Sequence, residues 1–175
     1  MNFAAGCCLL IGAVGLASPL AAQGKGDGSL SEAALYSLYV KRHVATIAFA
    51  NLAATRAADG DVRKAAQDLE RAHREARERL ERIATERHLT LASPERDTST
   101  VLLEQARKSL DGMTGRSFDS TWAELAYGWL MALMLDNNRV VKARVGADLQ
   151  PVAQQHTTWV FHQLSDIDKL RKRFR

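Results

Sequence analysis

The sequence predicts an all-α fold, an antiparallel four-helix bundle with one additional short helix. Three observations predict it. The chain is rich in Ala, Leu, Arg and Glu, with few β-branched runs and three prolines. Four long segments repeat apolar residues at spacings of three and four. The connections between them are brief, which favours antiparallel neighbours.

The first segment stands outside that fold. Met1–Ala22 carries a small and apolar stretch from Phe3 to Leu16, then Ser18-Pro19 and a small-residue ending Leu20-Ala21-Ala22. It reads as a secretory signal peptide, although no Lys or Arg precedes the apolar run. The rival, an uncleaved anchor, needs an apolar run of about 18 to 20 residues. Both cysteines, Cys7 and Cys8, lie in this leader, so an exported mature chain contains no thiol and no disulfide. Ala4-Ala5-Gly6-Cys7 precedes most of the apolar region, unlike a lipoprotein cleavage site. Residues 23–29, with three glycines, form a flexible leader, and residues 30–175 form a single domain long enough to bury a core without cross-links.

Helix one is expected from Ser29 or Ser31 to about Ala58, stopped by Asp59-Gly60. Its apolar face is read as Leu38, Val44, Ala45, Ile47, Ala48 and Leu52. Helix two, from Asp61 to about Arg87, is the cleanest: Val62, Ala66, Leu69, His73, Ala76, Leu80 and Ile83 alternate at four and three. Its charged faces offer Glu70 with Arg74, Glu75 with Arg79 and Glu78 with Arg82 one turn apart, each contributing about 0.2 to 0.5 kcal/mol. A third, shorter helix starts at Pro94 and ends at Leu110 before Asp111-Gly112. After a connector from Gly115 to Phe118, Asp119 or Thr121 caps helix four, whose Trp122, Leu125, Trp129, Leu130, Leu133 and Met134 make a broad apolar face. Such a face is either buried or paired with a partner. The chain breaks or kinks between Gly146 and Pro151, because proline is harmless only in a first helical turn. Val152, His156, Val160, Leu164 and Ile167 form the stripe of the last helix.

Three short motifs point to a family. Val62-Arg63 with His73 eleven residues after the valine, Phe118-Asp119 opening a helix, and Pro151 with His156 five residues on resemble the exported bacterial family called domain of unknown function 4142. The resemblance runs from about Leu30 to Leu170. It implies a ferritin-like bundle in the periplasm or at the outer membrane. The departures bear on chemistry. Glutamates of the family pattern on helix one fall near Thr46 and Ala48 here, an aspartate before the first histidine is replaced by Ala72, and a histidine on helix four by Leu130. His88 stands where a helix-ending glycine is expected.

A ferritin-like di-iron centre needs one inward Glu from each of two helices and a Glu-x-x-His pair from each of the other two. Glu70-Arg71-Ala72-His73 has that spacing, but the counterpart before His156 is Ala153 and helix one has no acid between Glu32 and Asp59. Glu124 falls beside the helix-four stripe. The ligand set is incomplete.

His73 and His156 therefore carry two principal readings. Each is a buried histidine whose nitrogens find a carbonyl, carboxylate or water; or the two meet across the bundle and share a transition metal. Copper or zinc suits imidazole without thiolate, with Glu70, Asp136 or solvent completing the shell. A pH-responsive pair is a further use of the same residues. His43 and His162 are read as surface or flanking positions, His162 lying about 120° from His156 on an ideal helix. Met131, Met134, Trp122 and Trp129 are read as core.

Net charge is +4, and the chain ends Lys169-Leu170-Arg171-Lys172-Arg173-Phe174-Arg175. No nucleic-acid-binding module accompanies this charge, which excludes that partner class. The tail complements a helix dipole or contacts an anionic membrane surface. Nucleophile elbows, phosphate loops and zinc-protease helices are absent from the sequence. The expectation is a non-enzymatic envelope or stress-related interaction protein without a cofactor, using an unknown partner or self-association through helix four. The alternative is a histidine-based binder or sensor of copper or zinc.

Overall fold

Periodicity and capping chemistry set five helices in a computed structural model that describes residues 31–92, 98–142 and 149–175. They are α1 (Glu32–Arg56), α2 (Gly60–Glu86), α3 (Thr98–Leu110), α4 (Gly115–Lys142) and α5 (Leu149–Arg173). The expected signal peptide and leader, and the expected helix start at Pro94, lie outside the described residues. Among those residues no strand occurs, and no helix is long and apolar enough to cross a membrane.

The helix ends follow their local chemistry. Ser31 accepts a hydrogen bond from the Ala34 backbone N–H and caps α1. Asp59 does the same for Asp61 and Val62 at the start of α2. His88 takes the left-handed conformation, φ 54°, just past the end of α2, while Leu89 N–H reaches back to the Ala84 carbonyl. A glycine would adopt this backbone more easily, so the histidine does stand at a glycine-type position. Gly112, φ 66°, fills the turn after α3. Pro151 lies in the first turn of α5, where it breaks no helical bond.

Antiparallel packing follows from which residues meet. Along α1 and α4, Arg42 pairs with Asp136, Thr46 accepts from Trp129 and Phe49 stacks on Trp122, so one chain rises as the other falls. Arg79 with Gln155 and Asp61 with Arg173 show the same for α2 and α5. Each of α1 and α5 thus runs opposite to α2 and α4, and the link from α2 to α4 is one long crossover through α3. All five helices contribute to the main core, within which Phe49 of α1 is sandwiched between Trp122 (5.6 Å, 11°) and Trp129 (4.8 Å, 4°) of α4.

Two expectations are corrected. Val44 is 45% exposed, and Leu38, Ala48 and Leu52 are only half-buried. Ala45 and Ile47 are buried as expected, but the main buried stripe of α1 is Tyr36, Tyr39, His43, Thr46, Ala50 and Ala53, continued by Ala57 just past its end, with Leu35 and Phe49 beside it. Helix four begins at Gly115, so Asp119 lies inside it and caps something else: its carboxylate accepts from Ala58 N–H (3.1 Å) and Asp59 N–H (2.8 Å), closing the α1–α2 turn. Arg63 bonds the Ala57 carbonyl, and Arg56 lies over the Phe118 ring while bonding the Leu110 and Met113 carbonyls. The Val62-Arg63 and Phe118-Asp119 motifs are therefore one structural knot at that end of the bundle. Asp119→Ala, which removes the acceptor for two backbone N–H groups, is expected to cost about 2 to 3 kcal/mol in urea unfolding, and Asp119→Asn less.

The other surface expectations divide. Glu70 does pair with Arg74, whereas Arg79 bonds Gln155 instead of Glu75. The broad face of α4 is taken into the bundle: Trp122, Trp129, Leu130 and Leu133 are buried, and Leu125 and Met134 half-buried. In the tail, Lys169 and Lys172 pair with carboxylates of α5, Arg171 with Asp168 and Glu124, Arg173 with Asp59 and Asp61, and Arg175 with Glu124.

Candidate metal centre

The α1–α2 hairpin turns at Asp59-Gly60, and His43 and His73 lie nearly equidistant from that turn. Antiparallel packing therefore sets them opposite one another, with Nδ1 to Nδ1 at 2.8 Å. From α5, one turn beyond Pro151, His156 enters the same space. Ring centroids are 4.9 Å apart for His43 and His73, 4.8 Å for His43 and His156, and 5.5 Å for His73 and His156. One ring nitrogen from each lies within 4.8 Å of those of the other two.

The three rings are almost sealed from water: His43 is 2% exposed, His73 0% and His156 7%. Tyr39 closes one side edge-on to His156, and Trp159 packs on both His73 (4.9 Å) and His156 (5.7 Å). Thr46 spends its hydroxyl on the Arg42 carbonyl and the Trp129 indole.

Polar partners are few. Asn137 of α4 meets His156 Nδ1 at 2.6 Å. Gln163 lies beside His73. The Nε2 atoms of His73 and His156 are buried with no hydrogen-bond partner, as are Asn137 Oδ1 and Gln163 Oε1. A half-turn of the Asn137 amide would let Nδ1–H of His156 donate to Oδ1, leaving Nε2 as a bare lone pair. Buried nitrogens without partners are costly in a native core and ask for an explanation.

Burial holds all three imidazoles neutral. His43 is pushed well below the ordinary histidine range by burial first, then by His156, Arg42 and Arg77. For His73 burial dominates, its two histidine neighbours add to it, and Gln163 opposes weakly. Burial and then Arg42 bring His156 down to about 4. Tyr39 is pushed up to about 12 by burial, against the pull of Arg42. Neutral imidazole is the form that ligates metals.

The structure thus brings together His73 and His156, as the two-histidine reading expects, and adds His43. Glu70 is not brought to the site: it lies half-buried beside Arg74, to which it is ion-paired. Asp136 is engaged by Arg42 at 2.9 Å. His162 is exposed, as expected, but His43 is not a flanking residue. A signal for it exists. Tyr36, Tyr39, His43, Thr46, Ala50, Ala53 and Ala57 recur at three and four, a repeat as regular as that of α2. Its members are polar or small, so a search weighted by hydrophobicity passes over it.

Fold and site together define a helical bundle with a buried trio of histidines drawn from three helices. The chain belongs to the family described as domain of unknown function (DUF4142), whose sequence profile matches residues 17–170. No curated protein and no solved structure matches it significantly.

Proposed function

We propose that this protein is an exported helical-bundle protein that binds one transition-metal ion, copper or zinc, through His43, His73 and His156. The observation that carries the reading is the convergence of three neutral, buried ring nitrogens within 4.8 Å. Imidazole binds these ions at about 2.0 to 2.1 Å, which places ligand nitrogens about 3.3 to 3.6 Å apart. The His43–His73 contact between Nδ1 atoms, 2.8 Å, has to open slightly to reach this spacing. Binding through that pair replaces its N–H···N hydrogen bond, and His156 can contribute Nε2, which has no hydrogen-bond partner.

The connectivity supports a ferritin-like frame, since one long crossover joining two antiparallel pairs is a trait of such bundles. The helix-one, helix-two and helix-four acids and histidine expected of the family pattern are absent at Thr46, Ala48, Ala72 and Leu130, and the trio does not reproduce a di-iron carboxylate shell. Ligands this sealed suit a binder or sensor better than a catalyst, which needs an open position for substrate. The rival, an envelope or stress-related interaction protein acting through helix four, loses its main support because that face packs into the core. The tail's ion pairs likewise weigh against a membrane contact, and they are surface pairs of small energetic value.

Isothermal titration of the metal-free protein is expected to show one copper or zinc ion per chain. His43→Ala, His73→Ala and His156→Ala should each weaken binding strongly, whereas His162→Ala should not. A parent protein that binds neither ion overturns the proposal.

A further inference from the structure

We infer that the histidine trio selects a soft monovalent cation, Cu(I), over divalent zinc or copper. The inference rests on the three-histidine reading and concerns charge. The cluster contains three neutral imidazoles and no carboxylate. Two carboxamides lie next to it, Asn137 against His156 and Gln163 beside His73. Divalent sites commonly place a carboxylate in that outer position, where it orients the ring and offsets the ion's charge. Here Asp and Glu, the isosteres of these two residues, are absent from both places. Asp136 is bound to Arg42, and the field that Arg42 and Arg77 exert at His43 is that of positive charge.

An ion held here keeps its whole charge. Attraction to neutral ligand dipoles grows in proportion to that charge, but the cost of removing the ion from water grows as its square, about fourfold from one to two charges. With ligands at most 7% exposed, little water remains to share that cost. Three nitrogens also suffice for a filled-shell monovalent ion, which accepts trigonal coordination, whereas zinc in proteins is almost always four-coordinate.

The test is a set of titrations on the full chain carrying Cys7→Ser and Cys8→Ser, which removes the two thiols that would themselves take a soft ion, in chloride-free nitrate buffer, with Ag(I) as a redox-inert probe for Cu(I), and with Zn(II) and Cu(II). Trp159, in contact with two of the ligands, provides a fluorescence readout beside the calorimetric one. Ag(I) is expected to bind one per chain, at least about tenfold tighter than either divalent ion. In Asn137→Asp and Gln163→Glu, which add the missing anion with little change of shape, that ratio should fall by about ten- to a hundredfold. A divalent ion that binds the parent as tightly as Ag(I) overturns the selectivity while leaving the metal site standing. A preference for Ag(I) unmoved by both folded variants overturns charge as its cause. Absence of binding by any of the three ions overturns the selectivity and the site together.

Discussion

Freed of metal, the protein is expected to lose stability steeply as pH falls from 7 to 5. The three buried histidines are all pushed below the ordinary value of 6.5. In the unfolded chain they return to it, so between the native and unfolded values the unfolded state binds more protons. Their contribution is therefore complete above about pH 6.5 and is lost as pH drops through the interval beneath it. For His156, brought down to about 4, the loss by pH 5 is about 2 kcal/mol. His43 and His73 are displaced in the same direction and add to it. Against a typical total of about 5 to 15 kcal/mol, such a loss is large. Asp59, Asp68 and Asp168 have values lowered from 3.8, and their contributions fade only below about pH 4. Urea midpoints measured between pH 8 and pH 5 after chelation provide the check. Equal midpoints at both ends would mean that the trio is not held neutral in the fold.

Phe49→Ala is the substitution expected to damage the fold most. The ring is fully buried and lies nearly parallel to Trp122 and Trp129, so its removal empties the space between α1 and α4. Truncations of this kind cost about 3 to 5 kcal/mol. Phe49→Leu, which keeps much of the volume, should cost about half as much. The damage should reach the candidate site, because Trp129 also holds Thr46, one turn from His43 on the inward stripe of α1. Urea unfolding separates the two variants, and a cost under about 1 kcal/mol for the alanine would mean that the aromatic sandwich does not hold the hairpin to α4.

Much of this was legible in the residues themselves. The α2 stripe, the Asp59-Gly60 stop, the end of α3 at Leu110 and the first-turn Pro151 all rest on local rules: apolar periodicity, caps and backbone restrictions act within a few residues. The family likewise followed from short motifs. Where long-range contacts decide, sequence reading had less to work with. Asp119 sits near the start of a helix and looks like its cap, yet its carboxylate serves a turn about sixty residues away in the chain. The α1 face was only partly placed, with Ala45 and Ile47 buried as expected, because most of its inward stripe is built from tyrosine, histidine, threonine and alanine, which carry little hydrophobic signal.

The candidate site shows the same division. By itself the sequence determined that His73 and His156 point inward, since each occupies a regular apolar stripe, and that no full di-iron ligand set is present. Only the tertiary structure decided that His43 joins them, that Glu70 turns away to Arg74, and that amides rather than acids stand beside the rings. The physical reason is that a helix's periodicity fixes which side faces inward, but not which residues from other helices arrive at the same height. That depends on the register of the α1–α2 hairpin and on the docking of α5, set by the whole core at once.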